Sequence, residues 1–310
     1  MTKRGQRRYL RRQRKPAAPR RIPVVHVFDF FTLDDLRDKP RLKDEVLRYA
    51  WDHYCALQHQ RSVMADEITA ALAQAAVGPF PFNRWGRVVD YRFANHPLSA
   101  AGSMKSMVGG RFNIGDLDPA KFAPFPALYL ASDEDTALSE KFGRADEAGG
   151  LTAAEHALRT SRSYTCVAVN GLLESVIDLS KVERLKAFVD IIREFKLPRE
   201  ILLRARKMGL PAALVTSLTE LEQTLLARNW RASPTQFDVP HNCQVFGQLV
   251  LRAGIEGIVF PSAGSGADAR SLAVFPQNLQ GGSFVEIADP SPPATTHVRL
   301  DARTWRGFVC

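Results

Sequence analysis

Gly109-Gly110-Arg111-Phe112-Asn113-Ile114-Gly115 is followed by Ala127-Leu128-Tyr129-Leu130-Ala131 and then by Thr136-Ala137-Leu138-Ser139-Glu140. Two adjacent glycines permit backbone conformations closed to other residues, so the first segment reads as a tight turn that aims a guanidinium. A guanidinium mounted in this way can grip an oxyanion with two parallel hydrogen bonds. The second segment reads as a short strand in which Tyr129 points to the face opposite Leu128 and Leu130. The third reads as a helix, with Ser132 the expected N-cap, Asp135 three residues on, and Glu140 in the second turn. Thr136 and Ala137 precede Glu140 by four and three residues and share its face. That face is small and would let the carboxylate come close to a sheet or a ligand. One cation, one ring and one carboxylate therefore stand on three consecutive short elements.

Working outward, strands are expected at Val88–Phe93, Ala127–Ala131, Tyr164–Val169, Ala212–Thr216, Gly257–Phe260 and Leu272–Phe275. Helical spacing falls between them at Asp133–Phe142, Arg184–Phe195, Leu218–Trp230 and Gln244–Ala253. The alternation is irregular and several strands are very short. That pattern favours an α+β fold with a bent or split mixed sheet and surrounding helices over a doubly wound parallel sheet. Gly78-Pro79-Phe80-Pro81 is a boundary signal, and Pro290, Pro292 and Pro293 mark the expected end of the main domain. Before the boundary, Arg41–Gln58 and Met64–Ala76 carry helical spacing. Ile22–Phe31 reads as extended, with Thr32-x-x-Asp35 as a capping box. The expected organisation is a basic arm over 1–22, a helical extension over 23–80, a main domain over 81–290 and a C-terminal tail over 291–310. The extension is expected to pack on the main domain, and 143–162 reads as an insertion.

The net charge of +9 is a property of one end of the chain. Residues 1–22 hold ten basic residues and no acid, which leaves 32 basic against 33 acidic residues in the rest. Such an arm buries too little apolar surface to order itself. A weak contact with nucleic-acid phosphates and a plain solvated tail both fit it. No apolar run approaches the length of a membrane span, and no apolar stretch follows the basic start. A cytoplasmic protein without membrane association is expected. Cys55, Cys166, Cys243 and Cys310 are scattered and read as reduced thiols. His241-x-Cys243 is the one near pair of soft ligands, nothing around it has zinc spacing, and no metal is expected. No phosphate-loop motif of the G-x-x-x-x-G-K-[ST] kind is present, and Gly264-Ser265-Gly266 lacks the strand–helix context of one.

The block from Gly109 to Glu140 resembles the RES family, named for its arginine, glutamate and serine. Ala253-Gly254-Ile255-Glu256-Gly257-Ile258-Val259-Phe260-Pro261-Ser262-Ala263 looks like the family's Gly-x-x-Gly-Ile, strand and Pro-Ser element. Leu272-Ala273-Val274-Phe275 follows as its closing strand. Tyr91-Arg92 and Pro97-Leu98-Ser99 resemble its opening strand and turn. The likeness spans residues 84 to 288. Phe112 stands where the family often has tryptophan, and Gly264 where an arginine often follows the alanine.

The resemblance implies an ADP-ribosyltransferase-like fold that consumes NAD⁺, with NAD⁺ as substrate and no metal. It implies a toxin of a toxin–antitoxin pair, silenced by an Xre-type antitoxin that blocks the active site. A homo-oligomeric state stays open. Breaking the nicotinamide–ribose bond builds oxocarbenium character on the ribose, which a fixed carboxylate can stabilise. On this reading Glu140 is that carboxylate, and Arg111, with Arg92 in support, holds the pyrophosphate. Tyr129 stacks on the leaving ring, Ser262 orients ribose or a phosphate oxygen, and Asn113 contributes to substrate binding. The acceptor is left open between inorganic phosphate, giving phosphorolysis, and water, giving hydrolysis. Two other classes compete: a mono-ADP-ribosyltransferase of a macromolecule, and a non-enzymatic nucleic-acid-binding module that uses the basic arm.

Overall fold

The structure is a computed structural model that describes residues 40–142, 163–210, 214–262 and 268–309. Two helices come first, α1 (Pro40–Val63) and α2 (Ala65–Ala75). The long strand β1 (Phe80–Asp90) follows, then the short helix α3 (Ala101–Lys105), β2 (Leu128–Ala131) and α4 (Glu134–Phe142). After β3 (Tyr164–Leu173) and β4 (Val176–Asp178) come five helices. They are α5 (Lys186–Ile192), α6 (Arg199–Lys207), α7 (Leu218–Leu225), α8 (Ala232–Gln236) and α9 (Asn242–Arg252). The strands β5 (Gly257–Pro261), β6 (Arg270–Val274), β7 (Phe284–Ile287) and β8 (Arg299–Asp301) complete the order.

Among the described residues eight strands form one mixed sheet in the order β4-β5-β6-β2-β1-β3-β7-β8. The β4–β5 pair is parallel and the other neighbours are antiparallel. β1 and β3 pair along their length, from Phe80↔Leu173 to Asp90↔Tyr164, with an irregularity between Phe82 and Trp85. β1 and β2 share only Gly86↔Ala131. The sheet is thus almost split between its halves, and the α+β class with a bent, mixed sheet agrees with the expectation.

Side-chain alternation puts a core on each face. Leu128 and Leu130 join Val259, Leu272 and Val274 on one face. Tyr129 packs on the other, where Phe112, Ile114, Phe260 and Ala273 sit. Val46 and Tyr49 of α1 and Ile68 and Leu72 of α2 belong to this second core, all at 0–1% exposure. Full burial of side chains of this size contributes about 1.5–3 kcal/mol each, so α1 and α2 are structural parts of the core that carries Phe112. Just before β5 the fully buried carboxylate of Glu256 accepts from the Glu174 and Gln280 backbone N–H groups, both at 2.6 Å, and from the Ser283 hydroxyl. It ties the start of β5 to the β3–β4 turn and to the loop before β7.

Several expectations are corrected. β1 stops at Asp90, and Tyr91–Phe93 form a 3₁₀ turn instead of strand. The helix expected over Leu218–Trp230 ends at Leu225. The pattern from Arg184 divides into a 3₁₀ segment, Leu179–Leu185, and α5. Residues 214–216 are not a strand. The segment expected as a C-terminal tail supplies β8, which pairs with β7 and buries Leu300 completely. Beyond it the Phe308 carbonyl accepts from the Ala100 backbone at 2.8 Å. β4, β7 and β8 were not anticipated, since three or four residues are too few to display a period of two. The arm over 1–22, the Ile22–Phe31 strand, the Thr32–Asp35 box, 143–162, Gly264-Ser265-Gly266 and Cys310 lie outside the described residues.

Candidate active site

The Gly109–Gly115 turn is built as its glycines suggest. Gly109 has φ of +76°, a conformation that a side chain disfavours. Asn113, fully buried, holds the turn from inside. Its Oδ1 accepts from the Gly110 N–H at 2.9 Å and from the Tyr129 hydroxyl at 3.0 Å. Its Nδ2 donates to the carbonyls of Ser103 and Phe125 at 3.1 and 3.0 Å. The Tyr129 hydroxyl also accepts from the Phe112 N–H at 2.9 Å. Burial pushes the Tyr129 phenol well above its usual range, with the Phe112 hydrogen bond a smaller opposing effect. It therefore stays protonated and available as a donor to Asn113.

Helix α9 braces the same turn. Gln244 Nε2 donates to the carbonyls of Val108, Gly110 and Asn113 at 2.6, 3.0 and 3.0 Å. Gln244 is itself set by the helix start, where His241 and Gln244 form a reciprocal capping box. His241 is thus an N-cap, which accounts for the histidine next to Cys243. One turn on, a Cβ at Gly247 would collide with the Phe112 carbonyl, so only glycine lets the turn lie this close to α9.

Glu140 reaches the site from α4. The helix begins one residue later than the sequence suggests, and Asp133, not Ser132, caps it, accepting from the Thr136 N–H at 2.7 Å and from its hydroxyl at 2.8 Å. Thr136 and Ala137 are buried beneath Glu140, at 1% and 7% exposure. At the far end Lys141 bonds Asp90 at 2.6 Å and pins α4 to the end of β1. Ser262 follows β5, and its hydroxyl donates to Glu140 Oε1 at 2.6 Å. This bond orients the carboxylate by way of its Oε1.

A cavity of about 590 Å³ opens where β1 and β2 part, and Arg111, Tyr129, Glu140 and Phe260 all line it. Arg111 Nη1 donates to the carbonyls of Leu225 and Ala227, at 3.2 and 2.9 Å, at the C-terminal end of α7. The negative end of that helix suits a cation. Three sequence-chosen residues do not line the cavity: Ser262 meets it through its hydrogen bond to Glu140, and Asn113 and Arg92 stand elsewhere. Asn113 is behind the wall with its amide satisfied inside the protein. Arg92 lies off the cavity on the 3₁₀ turn, its side chain 71% exposed, 3.7 Å from Asp90 and stacked on Phe93. It is placed there because β1 ends before it.

β1 supplies Arg87 to the cavity wall instead. Its guanidinium donates to the carbonyls of Pro97, Ser99 and Tyr129 at 2.6, 2.7 and 2.9 Å. Desolvation pushes its pKa down to about 10, where it is still charged at neutral pH. The loop after α7 adds Arg228, Trp230 and Arg231. Extending the helix through Trp230 hid this loop, although two arginines flanking a tryptophan are a legible signal of a charged aromatic patch. Glu140 is the one carboxylate among these lining groups, so the cavity is strongly positive and suits an anion that can also meet a carboxylate. Among the described residues no cluster of three or more histidine, cysteine, aspartate or glutamate side chains could hold a metal, and no helix is long and apolar enough to cross a membrane.

The sequence matches the RES domain family model over residues 84–297. A solved structure, that of the M. tuberculosis MbcT–MbcA toxin–antitoxin complex, aligns at 15% identity with a TM-score of 0.41, covering 78% of this chain and 97% of that one. No curated protein matches the chain.

Proposed function

The chain belongs to the RES domain family, and from that premise we propose that its cavity binds NAD⁺ and cleaves the nicotinamide–ribose bond. The observation that best supports this is the Ser262–Glu140 hydrogen bond, which fixes a carboxylate on the wall that also carries Arg111 and Tyr129. In the reaction the bond from ribose C1′ to the nicotinamide nitrogen breaks, and its electron pair leaves with the ring. Nicotinamide departs neutral, so no general acid is needed. Positive charge gathers on C1′ and the ring oxygen, where a preorganised carboxylate is worth several kcal/mol. Glu140 supplies it, and Ser262 holds it in place. Arg111 binds the pyrophosphate, and the ring of Tyr129 packs on the leaving group. An oxygen of phosphate or water then bonds to C1′ and loses its proton to solvent or to Glu140.

On the RES resemblance, the protein acts in the cytoplasm as the toxin of a toxin–antitoxin pair, with an antitoxin of Xre type covering the cavity. The decisive experiment incubates the purified chain with NAD⁺, with and without inorganic phosphate, and follows the products. Free nicotinamide with ADP-ribose, or with its phosphorylated form when phosphate is present, is the expected result. Intact NAD⁺ in both arms would reject the reading. Label from NAD⁺ on a macromolecule would replace it with ADP-ribosyl transfer.

A further inference from the structure

Four arginines line the cavity around Glu140: Arg87, Arg111, Arg228 and Arg231. Arg87 is held by three carbonyls and Arg111 by two, the latter through one amino group only. Arg111 and Arg231 share a feature that the substrate assignment above leaves unused. Their guanidinium carbons lie 5.9 and 4.4 Å from the centre of the same Trp230 ring. Both distances are within cation–π range, for which tryptophan is the strongest partner. Trp230 is 3% exposed, so its ring is fixed by packing. Among the described residues neither arginine forms an ion pair. Burial, and then Arg111, push the pKa of Arg231 below its ordinary value, while Glu140 pulls the other way. Two mutually repelling cations are therefore held at one edge of the cavity, and among the described residues that line it Glu140 is the one carboxylate set against them, a single charge against two. A ligand carrying two linked phosphates would neutralise both.

We infer that Trp230 is a positioning residue that holds Arg111 and Arg231 as the two jaws of a diphosphate clamp, with Arg231 the second phosphate-gripping cation. The choice of a dinucleotide as ligand rests on the NAD⁺ reading; the clamp rests on the shared ring. A planar guanidinium serves each jaw because it can offer two parallel donors to a phosphate and stack on an aromatic face at the same time.

The test uses the full chain and calorimetric titration with ADP-ribose at low and high salt, with nicotinamide riboside as the phosphate-free control. Arg231→Met is expected to weaken ADP-ribose binding about tenfold and to flatten its salt dependence, as loss of a charge-assisted contact should. Nicotinamide riboside binding and the thermal midpoint should stay at wild-type values, since Arg231 stands at the cavity's edge with part of its side chain open to solvent. Trp230→Phe keeps an aromatic face and should bind ADP-ribose within about threefold of wild type, whereas Trp230→Leu should match Arg231→Met. In turnover, Arg231→Met should raise KM for NAD⁺ while kcat changes by less than about twofold. If Trp230→Leu does not fold, Arg231→Met decides alone. Wild-type affinity for ADP-ribose in Arg231→Met overturns the clamp. So does equal loss of both ligands, or a wild-type chain that does not bind ADP-ribose. A chain that binds ADP-ribose through Arg231 yet leaves NAD⁺ intact sinks the cleavage reading and leaves the clamp standing. Cleavage with an unchanged KM in Arg231→Met does the reverse.

Discussion

At the residue scale, Glu140 and Asn113 show how one block of sequence divides into chemistry and support. Glu140 is an exposed residue that receives the Ser262 hydroxyl at 2.6 Å. Glu140→Gln preserves an acceptor for that hydroxyl and removes the charge. NAD⁺ turnover should fall by about 10²–10³, the size of effect seen when one preorganised electrostatic group is lost, with the thermal midpoint unmoved. Equal turnover in the two proteins would remove Glu140 from the chemistry. Asn113 is the contrasting case, since its amide joins Gly110, Tyr129, Ser103 and Phe125. Asn113→Leu strands buried donors and acceptors, each costing about 1–3 kcal/mol, so a loss of about 3 kcal/mol in urea unfolding is expected. The place of Asn113 two residues after Arg111 suggests a substrate contact. Its amide points inward because the turn folds back on itself, which no residue count reveals.

At the element scale, α4 matters because its two ends decide where Glu140 stands. Asp133 caps the first turn, and Lys141 fixes the last to β1. Burial acts to raise the Asp133 pKa, but hydrogen bonds from the Thr136 N–H and from the Thr136 and Ser132 hydroxyls outweigh it, and the carboxyl titrates below its usual range. A depressed folded pKa means that the cap's ionic contribution is fully present above the unfolded value of about 3.9 and is lost as pH falls through the lower folded value. Asp133→Ala should therefore cost about 1 kcal/mol at pH 7, and the gap to wild type should narrow in acid. Paired urea titrations at neutral and acidic pH measure both; a gap that widens in acid would contradict the assignment. Helices α4 and α9 were legible because each carries enough residues for its period to repeat, whereas β2, no longer than β7, was legible through its place in the RES-like block between the glycine turn and α4. The cap itself was misplaced by one position, since Ser132 and Asp133 are both capping residues and only the geometry chooses between them.

At the scale of the whole molecule, α1 and α2 lie outside the matched family region yet share a core with Phe112 and Phe260. Removing residues 1–22 deletes the ten basic residues of the arm and none of the described core residues, so NAD⁺ turnover and thermal midpoint should equal those of the full chain. Removing residues 1–76 strips Val46, Tyr49, Ile68 and Leu72 from it and should give insoluble protein. Solubility after expression and NAD⁺ consumption read both arms; a soluble, active 77–310 fragment would show that the helices are dispensable. By itself the sequence determined the glycine turn under Arg111, the placing of Tyr129 on the face opposite Leu128 and Leu130, the helix that carries Glu140 and the serine after β5, because these depend on neighbours a few residues away. Tertiary structure alone decided that Arg87 and not Arg92 lines the cavity, that Asn113 is a brace, and that Arg228, Trp230 and Arg231 arrive from another part of the chain. Those outcomes turn on where β1 stops and on the near-split between β1 and β2, and such long-range packing leaves no periodic trace in the order of residues.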